Sequence, residues 1–152
     1  SLISTGSATV GGEVNALGGK VEVRGNAIDI GGNITIGDAK TDAPVFVEIG
    51  GEQTQQVTQD TSSTVTATSS VDSQINISAQ KVLALSGMLW APEGEVSLAS
   101  TILDTGTLLP IASKISLSGV EAVARLPLKT AGGLVVYPGQ GRQLLLGRRT
   151  AA

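Results

Sequence analysis

Two aromatic residues, Trp90 and Tyr137, are the side chains in this sequence best suited to stack on a ligand. An aromatic ring that carries a polar atom packs its apolar face on a sugar or a partner surface and keeps a hydrogen bond at its wet end. Trp90 precedes Ala91 and Pro92, so it is expected at a turn. There it either stacks on a ligand or, in the simpler interpretation, covers a corner of the core.

Carboxylates are the other groups that could do chemistry. Paired Asp or Glu side chains hydrolyse glycosidic bonds, and several oxygen ligands together bind Ca²⁺. Two pairs stand out, Glu93 with Glu95 on either side of Gly94, and Asp38 with Asp42 near Lys40. Each pair is interpreted as a solvent-exposed turn, because two carboxylates supply too few ligands for a calcium site. No catalytic residue, no metal site and no cofactor is therefore predicted, and the chain is not expected to be an enzyme.

The composition excludes several further kinds of site. The 152 residues contain no cysteine and no histidine. Thiol nucleophiles, Ser-His-Asp triads, zinc fingers and disulfide scaffolds are therefore ruled out. A chain of this length is expected to form a single domain, spanning 1–152.

A period of 19 to 21 residues runs along the chain, and it predicts the architecture. The segment 11–14 (GGEV) recurs twenty residues later as 31–34 (GGNI), and apolar–polar–apolar triplets continue the series. Such alternation is typical of half-buried strands. The period is marked by Val14, Ile34, Ile75, Val96, Ile115 and Val135. Further strands are predicted over Lys20–Arg24, Val45–Ile49, Lys81–Leu85 and Val120–Leu126.

This pattern predicts an all-β fold, a parallel β-helix of six to seven rungs with about 20 residues each. The apolar members of the triplets are expected to face the interior. The middle members are expected to form one outer polar ladder of Asn15, Thr35, Asn76, Ser97 and Ser116. A β-sandwich is the alternative fold, because successive hairpins can produce a similar period.

One segment breaks the pattern. Residues 53–73 are rich in Gln, Thr and Ser and are interpreted as a polar insertion, a loop or hairpin that bulges from one rung. A sharper hypothesis takes Thr64, Thr66 and Thr68 as an ice-binding strand. An ice-binding face needs this Thr-x-Thr pattern on several successive rungs, and the sequence has it once.

Charge is divided unevenly between the two parts of the chain. Residues 1–105 carry four basic and twelve acidic side chains, whereas residues 106–152 carry six basic and one acidic. A basic C-terminal segment, 125–152, is therefore distinguished from the rest. The asymmetry favours head-to-tail self-association, since a heterologous contact that does not close generates a filament. Binding to nucleic acid is not expected at a net charge of −3.

The candidate assembly surface lies near the C-terminus. A run of three leucines is flanked by basic residues and is interpreted as a final strand with basic ends. Its residues are Arg142, Leu144, Leu145, Leu146, Arg148 and Arg149. An amphipathic membrane tail is the alternative, but the apolar run is too short to hold a membrane alone. No apolar run reaches the roughly 18 residues of a membrane span.

Two stretches resemble the repeats of the filamentous haemagglutinin family, large adhesins exported by two-partner secretion. They are 11–37 (GGEVNALGGKVEVRGNAIDIGGNITIG) and 75–100 (INISAQKVLALSGMLWAPEGEVSLAS). Together they cover about a third of the chain. The resemblance implies a right-handed parallel β-helix, an extracellular location and an adhesive or scaffolding role. Residues 53–73 and the basic C-terminal third depart from it.

The expected function is therefore structural: a secreted bacterial cell-surface module that forms part of an adhesin or extracellular fibre. Its partners are expected to be further copies, neighbouring repeats of a longer chain, or a glycan or host receptor. Two alternatives remain at this stage. One is a polysaccharide-binding or polysaccharide-degrading β-helix domain, and the other is a phage fibre segment.

Overall fold

Every regular element in the described part of the chain is a β-strand. The computed structural model describes residues 2–3, 6–37, 44–69, 71–104, 108–119, 122–125, 134–137 and 142–145. The strands are β1 Leu2–Ile3, β2 Ser7–Val10, β3 Glu13–Leu17, β4 Gly19–Arg24, β5 Ala27–Ile30, β6 Asn33–Gly37, β7 Val45–Gly50, β8 Gln56–Gln59, β9 Thr64–Ala67, β10 Ser73–Ser78, β11 Val82–Leu85, β12 Met88–Ala99, β13 Ile102–Asp104, β14 Leu109–Ser118, β15 Ala122–Arg125, β16 Leu134–Tyr137 and β17 Arg142–Leu145. The all-β prediction is confirmed.

The strands pair in three rows. The first row is a six-stranded sheet in the order β2-β5-β8-β11-β13-β15. The second row runs β3-β6-β9 and continues through the first parts of β12 and β14. The third row runs β1-β4-β7-β10, continues through the second parts of the same two strands, and ends with β16 and β17. Because β12 and β14 belong to two rows, the second and third rows form one eleven-stranded sheet.

Neighbours within a row are parallel, with one exception at β16–β17, where the pairing is antiparallel. Each set of three consecutive strands, one from each row, is called a unit here. The first unit is β2-β3-β4, and each of its strands pairs with the corresponding strand of the unit β5-β6-β7. Successive hairpins would pair neighbouring strands antiparallel. The described pairs therefore confirm parallel pairing between successive units, although the separation along the chain varies from pair to pair.

Alternation within the strands builds the core from columns of aliphatic side chains. In the third row the first column contains Val21, Val47, Ile75, Val96 and Ile115, which are in register and at most 6% exposed. In-register aliphatic residues pack on each other at the strand spacing of about 4.8 Å. Each buried side chain of this kind stabilises the fold by about 2 kcal/mol. Two polar residues, Gln59 and Ser73, also occupy inward positions.

The marked positions and the polar ladder of the sequence do not lie in a single row, so the prediction of one ladder is wrong. Ile34 pairs with Val65 on β9, and not with Ile75 on β10. Asn15 and Thr35 belong to the second row. Asn76, Ser97 and Ser116 belong to the third row, where Glu48 precedes them. Ile34 and Ile75 are separated by about twice the repeat period, but they lie in different rows.

The Gln-, Thr- and Ser-rich segment 53–73 is not a bulging loop. It contains β8 and β9, which pair in register on both sides, and it ends where β10 begins. Val57, Val65 and Ala67 each have 0% exposure. The prediction of a loop or hairpin is wrong because Val57, Val65 and Ala67 fill inward positions of these short strands, with the polar Gln59 as the exception. Ala27 and its partner Gln56 are separated by more residues than one repeat period. The additional residues lie in the connections between strands.

Close approach of successive units explains one glycine of the repeated GG pair. A Cβ at Gly32 would overlap the backbone of Gly12, whose carbonyl oxygen accepts the hydrogen bond of Asn33 N–H at 3.1 Å. A Cβ at Gly12 itself would meet no atom of the described residues within 4 Å. The two positions occupy equivalent corners of successive units. Among the described residues, Gly32 is covered by the backbone of the preceding unit and Gly12 is not.

We expect Gly32→Ala to destabilise the protein by on the order of 2–3 kcal/mol, because the backbone must shift to accommodate the methyl group. Gly12→Ala is the matched control and should change stability by less than about 0.5 kcal/mol. Urea denaturation followed by far-ultraviolet circular dichroism measures both. Equal stability of the two variants would contradict the stacking of these corners.

Candidate functional site

Trp90 lies on an outward-facing apolar surface of the second row. In β12, Leu89 and Ala91 are fully buried, so Met88 and Trp90 face outward. Their partners in the next unit are Leu109 and Ile111. These four residues, Met88, Trp90, Leu109 and Ile111, are called the Trp90 surface. The indole of Trp90 is 38% exposed, which leaves part of its ring accessible.

The same row is polar on the other side of Trp90. Thr64 and Thr66 on β9 pair with Met88 and Trp90. Thr66 pairs in turn with Thr35 on β6. The neighbouring strands therefore do not repeat a Thr-x-Thr pattern, and the row changes from hydroxyl-bearing side chains to apolar ones within one strand spacing. An aromatic ring next to hydroxyl groups is a combination that suits a ligand with both apolar and polar faces.

An open cavity of about 360 Å³ lies beside this surface. It is lined by Thr61, Ser63, Thr64, Gly87, Met88 and Leu109. These described lining residues combine three hydroxyl groups with two apolar side chains, and none of them is charged. Such a lining favours a neutral ligand over a charged one, because it offers no group that compensates the desolvation of a charge.

The corner that forms the cavity is held by hydrogen bonds. Ser63 is 1% exposed, and its hydroxyl donates to the Gly32 carbonyl at 2.6 Å. The Met88 N–H donates to the Ser63 carbonyl at 3.0 Å, and the Gln59 side-chain amide donates to the same carbonyl at 3.2 Å. Gly87 has a φ of +71°, and a Cβ there would overlap the Ser63 carbonyl oxygen. Glycine is therefore required at this turn.

A cluster of four charged residues lies on the outer side of the third row. Glu22 and Glu48 are in-register neighbours on β4 and β7. Arg24 is 2.7 Å from Glu22 and 3.3 Å from Glu48, and Lys20 is 3.6 Å from Glu48. The hydrogen bond from Arg24 lowers the pKa of Glu22 below its ordinary value. Glu22 is therefore ionised at neutral pH and does not hold the proton that a general acid donates.

The carboxylate pairs singled out in the sequence are not brought together with this cluster. Glu93 and Glu95 lie within β12 and not in a separate turn. The register of β12 shifts between Ala91 and Glu95, which is where the sequence places Pro92. Glu95 forms an ion pair with Lys114 at 3.9 Å. Asp38 and Asp42 lie outside the described residues.

Among the residues that the structure describes, no group of three or more Asp, Glu, His or Cys side chains is placed to hold a metal ion. The same described residues contain no helix that is long and apolar enough to cross a membrane.

The other predicted site residues lie near the end of the third row. Tyr137 is the last residue of β16 and pairs with Arg142, the first residue of β17. Leu144 and Leu145 also lie on β17, which pairs antiparallel along β16. Leu146, Arg148 and Arg149 lie outside the described residues. Trp90 pairs with Ile111 in the second row, whereas β16 pairs with Ile115 and Ser116 in the third, so Trp90 and Tyr137 are not brought into register.

Comparison with protein-family models, curated proteins and solved structures found no match to this chain.

Sequence reasoning missed two of these groupings. The Trp90 surface was missed because Met88 and Leu109, although one repeat apart, belong to no marked triplet. The separation between Glu22 and Glu48 exceeds the repeat period, so the period does not bring these two residues together. The signal that could have found the first grouping is the alternation of MLWA at 88–91, which fits a strand better than a turn.

The lowered pKa of Glu22 predicts a dependence of stability on pH. A carboxyl whose pKa is lower in the folded state stabilises the fold above its unfolded-state pKa of about 4.3, and this contribution is lost as pH falls through the folded pKa. We therefore expect Glu22→Gln to reduce the loss of stability between neutral pH and about pH 3. Urea denaturation at both pH values measures this change. A Glu22→Gln profile identical to wild type would exclude the ion-pair cluster as its source.

Proposed function

We propose that this chain is a structural module of a secreted bacterial surface protein, built as a right-handed parallel β-helix of about six rungs. The module forms part of an adhesin or extracellular fibre. It acts through strand stacking and head-to-tail association, without chemistry. In this proposal each unit of three strands is one rung of the coil.

The observation that carries the proposal is the repetition of in-register parallel pairing in all three rows. Ser7, Ala27, Gln56, Val82, Ile102 and Ala122 follow one another in the first row, one residue per unit. Stacked repeats of this kind place each new unit on the previous one and make an elongated body. A coil has open strand edges at its ends, and open edges recruit further strands. The resemblance of 11–37 and 75–100 to filamentous haemagglutinin repeats supports the surface location.

The outer side of the third row also suits a structural role. Its charged side chains pair across strands, as Lys20 and Arg24 do with Glu48 and as Lys114 does with Glu95. Cross-strand pairs of opposite charge favour the observed strand register. The C-terminal residues Arg142, Leu144 and Leu145, on the last strand of the third row, are proposed as part of the assembly surface.

Negative-stain electron microscopy of the purified chain tests this proposal. We expect filaments about one β-helix wide at roughly 10 mM salt, and shorter ones at about 1 M salt, where the screening length falls to about 3 Å. The salt effect follows from the opposite charge of the two parts of the chain. Single small particles at every salt concentration would exclude assembly as the function.

A second candidate function is the binding of a neutral saccharide at the Trp90 surface. It is favoured by one observation, the partly exposed indole next to a cavity whose described lining has hydroxyl groups and no charged side chain. Sugars stack their apolar faces on aromatic rings and exchange hydrogen bonds with hydroxyl groups. In this arrangement Trp90 is the stacking group, and Thr64 and Thr66 are the neighbouring hydrogen-bonding groups.

Trp90 is the only tryptophan of the chain, so its fluorescence reports binding directly. Titration with neutral oligosaccharides should shift or quench its emission with a saturable dependence. Thr66→Ala should weaken the affinity about fivefold to tenfold through the loss of one hydrogen bond of about 1 kcal/mol. Thr58→Ala, on the first row, is the matched control and should bind as wild type does. An unchanged emission with every neutral oligosaccharide would exclude this candidate.

A further inference from the structure

Four side chains of the second row form one outward column across adjacent strands. Asn15 on β3 pairs with Thr35 on β6. Thr66 on β9 pairs with Thr35 on one side and with Trp90 on β12 on the other. The residues before and after Thr35 and Thr66 have 0% exposure, so the two threonine side chains face outward. Asn15, Thr35, Thr66 and Trp90 are called the Trp90 column.

The polar groups of this column are available to a ligand. In the adjacent column of the same row, the Asn33 side chain donates to Glu13 at 3.2 Å and accepts the Thr64 N–H at 3.0 Å. By contrast, the side chains of Asn15, Thr35 and Thr66 form no hydrogen bond with any residue that the structure describes. Free hydroxyl and carboxamide groups both donate and accept, which suits a ligand that carries hydroxyl groups.

The strand spacing gives the column a fixed period. Its four residues lie on adjacent strands about 4.8 Å apart, so the column spans about 14 Å. An extended β-1,4-linked hexose chain advances by nearly the same distance with each sugar ring, whereas an α-1,4-linked chain curls. One ring of the extended chain can therefore face each strand over the whole column.

Charge and backbone pairing limit the kind of ligand. The column has no charged side chain, and Glu13, which precedes it on β3, is acidic and disfavours an anionic chain. The strands β6 and β9 pair with a neighbour on each side. An extended peptide therefore finds no main-chain hydrogen bonds on this face. A neutral saccharide matches both the hydroxyl groups and the indole.

We propose that the Trp90 column binds one neutral, extended β-1,4-linked polysaccharide chain, which lies across the strands with one sugar ring on each. This inference rests on the second candidate function above, saccharide binding at the Trp90 surface, and names the class of ligand and its direction. The indole of Trp90 stacks on one ring. Thr66, Thr35 and Asn15 exchange hydrogen bonds with the three rings that follow.

The column also sets the length of chain that it recognises. On the other side of Trp90 the next residue in register is Ile111, which has no polar side-chain atom. The second row begins with β3, which carries Asn15. The hydrogen-bonding positions and the stacking position together therefore accommodate about four rings at the strand spacing.

A length series of oligosaccharides tests the proposal. The probes are cello-oligosaccharides of two to six glucose units, with malto-oligosaccharides of the same lengths as the matched control. Isothermal titration and Trp90 fluorescence of the full chain measure the affinities. We expect the affinity for cello-oligosaccharides to rise by about tenfold or more between two and four units and to change little beyond four, because each added ring engages another position. Equal affinities for two and four units, or for the two linkages, would overturn the proposal.

Substitution of Thr35 tests the direction of the chain. Thr35→Val keeps the branched shape and removes the hydroxyl, so it should weaken binding of the tetrasaccharide about fivefold. Binding of the disaccharide should not change, because two rings reach only Trp90 and Thr66. Thr35→Ser should restore the wild-type affinity, and Thr58→Ala, on the first row, should bind as wild type does.

Asn15 provides a second variant at an exposed position, where no packed residue is disturbed. Asn15→Ala should also weaken the tetrasaccharide without affecting the disaccharide. A chain that instead runs along the strands into the neighbouring cavity would be weakened by Thr61→Ala and not by Thr35→Val. That result would overturn the proposal.

The outcomes separate this inference from the candidate function on which it rests. Saturable binding that does not depend on chain length would leave saccharide binding at the Trp90 surface standing and exclude the column. Neither heat nor a fluorescence change with any oligosaccharide would exclude both. Filament formation tests the structural role separately, since it does not involve a saccharide.

Discussion

The spacing between successive parallel strands is the constraint on which the rest of the structure depends. At about 4.8 Å, each residue meets the same position of the unit before it and of the unit after it. Inward positions are therefore aliphatic in successive units of the column from Val21 to Ile115, whereas Gln59 and Ser73 are polar residues at other inward positions. Corners such as Gly32 must leave room for the preceding backbone, because Gly12 lies directly against them. A substitution is tolerated or excluded according to its neighbours in the row more than according to its neighbours in the chain.

The strands could be predicted from the sequence because alternation and turn residues are local. Predicted strands over 20–24, 45–49 and 81–85 lie at Gly19–Arg24, Val45–Gly50 and Val82–Leu85. Register could not be predicted through the middle units, where connections of different lengths replace the regular period. Ile34 pairs with Val65, and no local pattern specifies the separation between them. The strand Gln56–Gln59 was misinterpreted because three of its four residues are polar, including the inward Gln59.

Because the sequence does not predict this register, it also identified only part of the candidate site. Trp90 was identified by its residue type, but the turn expected at Pro92 hid the strand that orients it. The proline is accommodated where the register of β12 shifts between Ala91 and Glu95. The apolar neighbours of Trp90 and the hydroxyl groups of Thr64 and Thr66 come from three different units. The repeat period accounts for the pairing of Trp90 with Ile111, but not for its pairing with Thr66, where the connection is longer.

The glycine pairs at 11–12 and 31–32 occupy equivalent positions in the repeat but differ in their surroundings. Gly32 is explained by the backbone of the preceding unit, whereas the described structure gives Gly12 no such neighbour. The first unit therefore has the corner residues of an internal unit, together with the half-covered side chains of Val14 and Ala16. Protective devices common at sheet edges, such as proline or inward-pointing charge, do not occur in Ser7–Val10 or Glu13–Leu17. The presence of glycine at an equivalent position is therefore not evidence that packing requires it: the described residues require glycine at 32 but not at 12.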